Sequence, residues 1–394
     1  MSTPGPFGGF EGMPPFFKDL SKMFAGQGPL NWDFARQWAQ WVATEGVAEG
    51  NVDPLSRIRI EELARVADLH VAEITGLSTT ITGRTLSVVP VSRSDWAQRT
   101  LDAWRPLLEK LATSLGQGAM STGTEPDPEA DLLGGLTQFV VPVLMGGQAG
   151  SMVGHLSRRV MGQYDLPIPR PPSDEVLVVG ANIEAFASDW SLPLDDVRLW
   201  VGLSEIAHHA VLGRPHVRAR LLELLEAYAS AFRPDPTALE SRFGEIDPAN
   251  PESFNEVLGD PGALLGAMQS DEQRRLVPQL EALGAAVEGY VDWVVDTAGH
   301  RLITSYGPLS EALRRQRVAR GDGDRLVEQM FGLELGQAQY DRGAAFVRGV
   351  VERAGEDGLH RLWRSERELP TPAEVDAPGL WLARLEIDSP DADT

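Results

Sequence analysis

The sequence contains no cysteine. This absence excludes disulfide bonds, thiolate metal ligands and cysteine nucleophiles, and it favours a reducing compartment, so we predict a cytoplasmic protein. Basic residues are also scarce, with 35 Lys and Arg against 57 Asp and Glu and a formal net charge of -22 at pH 7. Such an acidic surface repels phosphate backbones and anionic lipids, so nucleic acid is not an expected partner.

Long hydrophobic runs are rare as well, and only residues 132–154 lack any charge over a length that could cross a membrane. Pro142, Gln138, Gln148 and several glycines interrupt this run. Small residues also allow the close helix packing that a buried hairpin needs. Because the rest of the chain is hydrophilic, we predict that this segment is buried in a soluble protein and does not span a membrane.

The length of 394 residues is enough for two or three structural units or one large domain. Residues 1–30, rich in Gly, Pro and Phe, are predicted to be a flexible tail without the features of a secretory signal. A polar linker with prolines at 121–131 marks a boundary. We therefore predict a helical amino-terminal subdomain at 31–125, a second helical domain at 126–385 and a disordered acidic end at 386–394.

Helical spacing of apolar residues dominates the chain, which predicts an α+β fold that is predominantly α-helical. Asn31 is a predicted N-cap, followed by an aromatic stripe expected in the core. The stripe consists of Trp32, Phe34, Ala35, Trp38 and Trp41. A small strand element is predicted around 176–181, from a β-branched run. The helix at 194–212 is expected to pack near a helix at 279–303.

The stretch "LWVGLSEIAHHAVLG" at 199–213 places polar side chains on an otherwise apolar helix. These side chains are Ser204, Glu205, His208 and His209. At 100° per residue all four lie in one sector, and apolar residues surround them. Burial costs a few kcal/mol per unpaired group, so each is expected to find a hydrogen-bond partner or a metal.

A second helix carries an acidic stripe at intervals of four residues. The stripe consists of Glu288, Asp292, Asp296 and His300. Like charges four residues apart destabilise an isolated helix. We therefore expect a positive group to face them: a cation, an arginine from another element, or the imidazoles of His208 and His209.

The spacing at 204–208, which reads Ser-Glu-Ile-Ala-His, is close to a His-Glu-x-x-His motif. In that motif two imidazoles bind one zinc ion, the glutamate acts as general base on the metal-bound water, and a third ligand comes from elsewhere. Here Ser204 stands in place of the first histidine.

Several separated blocks of the sequence resemble the zincin-like metallopeptidase family, a family of candidate zinc-dependent hydrolases. One branch of this family is named for an association with deazaflavin coenzyme biosynthesis. The blocks are "GPLNWDFARQ", "DLPIPRPPSDEVLVVGANIEAF", "DWSLPLDDVRLWVGLSEIAHHAVLG", "VEGYVDWVVD" and "GQAQYDRGAAFVRGVVERAGEDGLHRLW". The resemblance implies a zincin-like core at 126–385, with Glu205 as general base, His208 as a zinc ligand and Glu288 as the downstream carboxylate ligand.

Three hypotheses follow from the serine at position 204. In the first, which we favour, the zinc site is degenerate, zinc binding is weak or absent, and the protein binds or scaffolds a protein or peptide. In the second, an active zinc-dependent peptidase or amide hydrolase uses Glu205 and an unconventional ligand. Ser204, His209, Asp292 and Asp296 are the alternative ligands, or else hydrogen-bond partners of the ligands. The third, a purely structural helical protein, leaves the resemblance unexplained.

Overall fold

The computed structural model describes residues 28–120, 128–232, 270–319, 322–333 and 336–387. Almost all of the predicted tail at 1–30, residues 121–127 of the predicted linker and most of the acidic end at 386–394 lie outside them. The helices are α1 (Trp32–Thr44), α2 (Pro54–Thr75), α3 (Arg93–Met120), α4 (Pro128–Ser157), α5 (Gly180–Asp189), α6 (Leu194–Leu212), α7 (Pro215–Ser230), α8 (Asp271–Leu302), α9 (Tyr306–Val318), α10 (Asp322–Phe331), α11 (Gln337–Leu359), α12 (Pro372–Asp376) and α13 (Pro378–Ile387). Short 3₁₀ helices lie at His360–Trp363 and Glu366–Glu368.

A small sheet accompanies the helices, as the predicted α+β class requires. Strands β1 (Ser87–Val91) and β2 (Glu175–Val179) pair in parallel, with Ser87 opposite Glu175. The predicted strand is therefore present, although its last two residues begin α5. The sheet joins a strand from the predicted amino-terminal subdomain to one from the following segment, and buried apolar side chains from both form one core cluster.

Helix α1 begins where Asn31 was predicted to cap it, since the Asn31 side chain accepts a hydrogen bond from the backbone N–H of Phe34 at 3.0 Å. The prediction of a buried stripe is confirmed for Ala35 and wrong for Trp38 and Trp41. Trp38 and Trp41 are 37% and 55% exposed, whereas Ala35 is fully buried. The alanine face turns inward because α1 packs closely on α4: a Cβ at Gly150 would lie 2.5 Å from the carbonyl oxygen of Ala35.

The apolar run at 132–154 lies within the single long helix α4. Pro142 is inside this helix, and its carbonyl oxygen accepts a hydrogen bond from the backbone N–H of Asn31 at 2.9 Å. A proline removes one helical hydrogen bond without ending the helix here, because neighbouring elements support α4. Across the ranges described above, no helix has the length and apolar character needed to cross a membrane.

Helices α6 and α8 form the centre of the fold. Helix α6 has the predicted bounds of 194–212, and it packs against α2 and α8. Helix α8 begins eight residues earlier than the predicted 279, with a capping box formed by Ser270 and Gln273. The predicted packing of these two helices is present. It brings the polar sector of α6 to the acidic stripe of α8.

Candidate functional site

An imidazole and a carboxylate meet inside the fold where α6 contacts α8. Nε2 of His208 lies 3.3 Å from Oε1 of Glu288, and the two residues are 4% and 3% exposed. The Nδ1–H of His208 donates a hydrogen bond to the carbonyl oxygen of Ser204 at 2.9 Å. This bond holds the ring in the orientation that points Nε2 at Glu288.

The charge of His208 follows from its surroundings. Burial lowers the pKa of His208, but the nearby carboxylates of Glu288 and Glu205 and the Ser204 carbonyl outweigh burial and raise this pKa to about 9. At neutral pH the imidazole is therefore protonated and forms a buried ion pair with Glu288.

A cavity of about 110 Å³ lies beside this ion pair. Its polar wall consists of Arg159, Tyr164, Asp165, Ser204, His208, Glu288, Asp292, Gln316, Arg317, Asp324, Glu328 and Tyr340. Arg159 forms an ion pair with Asp324, and the guanidinium of Arg317 lies 3.7 Å from the ring centroid of Tyr340. The charged side chains of the cavity are thus largely arranged in pairs.

The acidic residues that follow Glu288 along α8 have partners other than His208. Both carboxylate oxygens of Asp292 accept hydrogen bonds from Arg317 of α9, at 2.7 and 2.9 Å. Asp296 accepts a hydrogen bond from the hydroxyl of Tyr306. The positive groups expected opposite the stripe are therefore an arginine for Asp292 and an imidazole for Glu288.

Glu205 lies on a different side of α6. Its carboxylate accepts hydrogen bonds from the backbone N–H of Gln163 at 2.9 Å and of Tyr164 at 3.0 Å. Burial and the neighbouring Asp165 raise its pKa to about 8. The side chain of Glu205 is therefore held by hydrogen bonds to the loop after α4. It is not one of the residues that line the cavity.

Close contact with Gly162 holds Glu205 in this position. A Cβ on Gly162 would lie 2.1 Å from Cδ of the Glu205 side chain. We expect Gly162→Ala to lower the free energy of unfolding by about 1–3 kcal/mol, because the buried carboxylate has to leave its two amide donors or the loop has to move. Urea unfolding measures this change. Gly180→Ala, where a Cβ meets nothing within 4 Å, is the control; an equal loss there would contradict the explanation.

His209 faces away from the cavity. A hydrogen bond of 2.9 Å joins its Nδ1 to the hydroxyl of Tyr164, while its Nε2 has no partner in the part of the chain that the structure describes. Burial lowers the pKa of His209 to about 4. The two adjacent histidines therefore differ at neutral pH, His208 being charged and His209 neutral.

The sequence analysis missed most of the cavity wall, including Asp165, Arg317 and Tyr340. Asp165 follows α4 in the segment "YDLPIPRPP", where a carboxylate in an apolar, proline-rich loop was an available signal. An arginine was expected opposite the acidic stripe, but periodicity alone did not distinguish Arg317 from the other arginines. Tyr340 has no recognisable signal in the sequence.

The residues of this site do not fit a catalytic zinc ion, which normally has three strong protein ligands and an open position. His208 and Glu288 supply two such donors, and Ser204 supplies only a hydroxyl. Asp292 is held by both oxygens on Arg317. Within the described ranges, no three His, Asp or Glu side chains form a group that could hold a metal ion.

Comparisons with known proteins agree with the fold. The model of a family described as zincin-like metallopeptidase matches residues 30–382. A crystal structure from Chloroflexus aurantiacus, described as a candidate hydrolase with a novel fold, is similar with a TM-score of 0.65 and 22% identity. The match covers 91% of this chain and 99% of that one, and at this identity it shows the fold alone. A comparison with curated proteins finds no significant match.

Proposed function

Because the chain belongs to the zincin-like metallopeptidase family, we propose that it uses the family's fold to bind or scaffold a protein or peptide, with a degenerate zinc site. The observation that carries this proposal is the direct contact of 3.3 Å between His208 and Glu288, beside a serine in the place of a ligand. We also propose a cytoplasmic location, which the lack of cysteine supports.

The ion pair supports the proposal because it satisfies both buried groups without a metal. A buried charge needs a partner of opposite charge and further hydrogen bonds. The imidazolium of His208 has the Glu288 carboxylate on one nitrogen and the Ser204 carbonyl on the other. Both buried groups therefore have hydrogen-bond partners without a metal, and the adjoining cavity remains available for a ligand.

A working zinc-dependent peptidase or amide hydrolase is the rival hypothesis, and two observations favour it. The carbonyl contact at Nδ1 of His208 is the arrangement that commonly orients a metal-binding imidazole. The raised pKa of Glu205, about 8, suits proton transfer near neutral pH. This hypothesis requires about one equivalent of tightly bound zinc and an activity that Glu205→Gln abolishes.

Zinc binding by the wild type and by Ser204→His tests the proposal. For protein purified without a metal-affinity column, we expect elemental analysis to find well below one equivalent of zinc. Ser204→His is expected to raise zinc affinity at least about tenfold. Removing only a hydrogen-bond partner of a metal ligand already lowers metal affinity about 10- to 100-fold, and a ligand itself contributes more. Competition with a zinc-binding dye measures this affinity.

Ser204→Asn is the matched control, because it adds a side chain of similar size without an imidazole. We expect no gain in zinc affinity from this change. An equal affinity of Ser204→His and Ser204→Asn would contradict the assignment of position 204 as the lost ligand. A full equivalent of zinc in the wild type, with a Glu205-dependent hydrolysis, would replace the proposal by its rival.

A further inference from the structure

Among the described residues of the cavity wall, Asp165 makes no ion-pair contact with a cationic side chain, although the charges of Arg159 and His208 act on it from a distance. Arg159 pairs with Asp324, His208 with Glu288 and Arg317 with Asp292. Asp165 also lines the cavity, where its side chain is accessible. Its oxygens accept hydrogen bonds only from the backbone N–H groups of Met161 and Gly162, at 2.9 and 3.1 Å, among the residues that the structure describes.

A second unpartnered group faces the same space. Ser204 is 9% exposed and lines the cavity. Its one hydrogen bond in the described part of the chain, apart from those within the helix backbone, is the bond that its carbonyl oxygen accepts from His208. The Ser204 hydroxyl and the Asp165 carboxylate therefore offer lone pairs to a ligand that can donate hydrogen bonds.

The size of the cavity limits this ligand to a small group. A volume of about 110 Å³ is below the roughly 150 Å³ of a cavity that accepts benzene. A wider cleft of about 440 Å³ shares with the cavity the wall formed by Trp200, Asp292, Leu313, Arg317 and Tyr340. Trp293 and Tyr306 also line the cleft, so it suits an apolar or aromatic portion of the same ligand.

We propose that the cavity binds a primary ammonium group, with Asp165 as its counterion and Ser204 as a hydrogen-bond acceptor, while the rest of the ligand lies in the cleft. An ammonium is compact and carries three donors, which matches a carboxylate and a hydroxyl in a small space. This inference rests on the proposed binding function. In a peptide partner the ammonium comes from a lysine side chain or from the amino terminus.

Binding of n-butylammonium to the full chain, measured by calorimetry with a chelator present, tests the inference. The neutral n-butanol has the same length and is the matched ligand control. We expect the ammonium to bind and the alcohol to bind at least about tenfold more weakly, because a charge-assisted hydrogen bond is lost. Equal binding of the two ligands, or no binding of the ammonium, overturns the inference.

Substitutions then locate the site. Asp165→Asn is expected to weaken n-butylammonium binding about 10- to 100-fold. Asp341→Asn removes a carboxylate that lines only the cleft, and it is expected to change binding less than about twofold, since an exposed charge is screened. Unchanged binding by Asp165→Asn overturns the inference. Should that variant not fold, Ser204→Ala decides instead: a loss of several-fold supports the site and an unchanged affinity overturns it.

Three peptides that differ in the position of their ammonium group distinguish its source. One has a free amino terminus and no lysine, one has an acetylated terminus and a lysine, and one has neither charge. The inference requires the third to bind worst. The chelator removes zinc, so the outcome of this measurement does not depend on zinc binding. The proposed function is tested separately, by the zinc content and by the effect of Glu205→Gln, and either one can therefore be contradicted without the other.

Discussion

Glu288→Gln is expected to lower the free energy of unfolding by about 3–5 kcal/mol at pH 6, the cost of breaking a buried ion pair. Glutamine keeps the size of the side chain and removes its charge. His208, which is 4% exposed, then loses the carboxylate that contacts its Nε2, and it has to hold a poorly compensated charge or release its proton. Urea unfolding followed by circular dichroism measures the change.

The pH dependence of the same variant tests whether His208 is charged. Because the pKa of His208 in the folded protein is about 9 and thus above its ordinary 6.5, its stabilising contribution is fully present below pH 6.5. The contribution is lost as the pH rises through 9, and a rise of 2.5 units corresponds to about 3 kcal/mol. We expect the difference between wild type and Glu288→Gln to shrink by about this amount at pH 10.

Glu205 and His209 also titrate, and both are present in the wild type and in Glu288→Gln. The pKa of Glu205 is raised to about 8, so its titration lowers the free energy of unfolding as the pH rises from 4.5 through 8. The pKa of His209 is lowered to about 4, so stability falls as the pH drops below 6.5. Comparing wild type with variant largely cancels these contributions.

Glu272→Gln is the control for Glu288→Gln, since it removes an exposed carboxylate from the first turn of the same helix. A change within about 0.5 kcal/mol is expected there. If the loss in Glu288→Gln were the same at pH 6 and pH 10, the contact with His208 would be a neutral hydrogen bond.

The centre of the fold could be read from the sequence because local patterns and global packing agree there. Helix α6 is apolar on nearly all sides, which is sufficient to predict a buried helix of 194–212. The acidic stripe of α8 required a positive partner, so contact between the two helices was a natural expectation. The resemblance to a family then selected His208 and Glu288 from the candidates, and the structure places these two in contact.

The face of α1 that turns inward could not be read in this way. A stripe of tryptophans has the stronger hydrophobic signal, but the buried side of α1 is made of small residues such as Ala35 and Ala39. These residues match Gly150 of α4, and a close approach of two backbones requires small side chains on both helices. Such complementarity depends on which helix packs against α1, and the periodicity of apolar residues within α1 does not predict that partner.

The cavity wall shows the same limit. Asp165 comes from the loop after α4, Arg317 from α9 and Tyr340 from α11. Arg317 lies 152 positions after Asp165, and Tyr340 lies 23 positions after Arg317. None of the three belongs to a motif with a characteristic spacing. Only the three-dimensional packing of these elements against α6 and α8 brings them to one cavity.

Gly343→Ala is expected to lower the free energy of unfolding by about 3 kcal/mol, the upper end of the usual cost of overpacking. A Cβ at position 343 would lie 2.1 Å from the carbonyl oxygen of Ala285 and 2.9 Å from the backbone nitrogen of Gly289. Both neighbours are backbone atoms of α8, so no side-chain rotation relieves the clash. Helices α8 and α11 have to separate, which exposes apolar surface between them. Thermal and urea unfolding measure the loss.

Gly284→Ala is the matched control within α8, because a Cβ there meets nothing within 4 Å. Alanine is the better helix former, so this variant is expected to gain up to about 1 kcal/mol. Because α8 carries Glu288 and α11 carries Tyr340, the two sides of the cavity depend on this crossing. Gly343→Ala should therefore also weaken n-butylammonium binding, whereas Gly284→Ala should preserve it. If both alanine variants were equally stable, the close approach of α8 and α11 at Gly343 would be disproved.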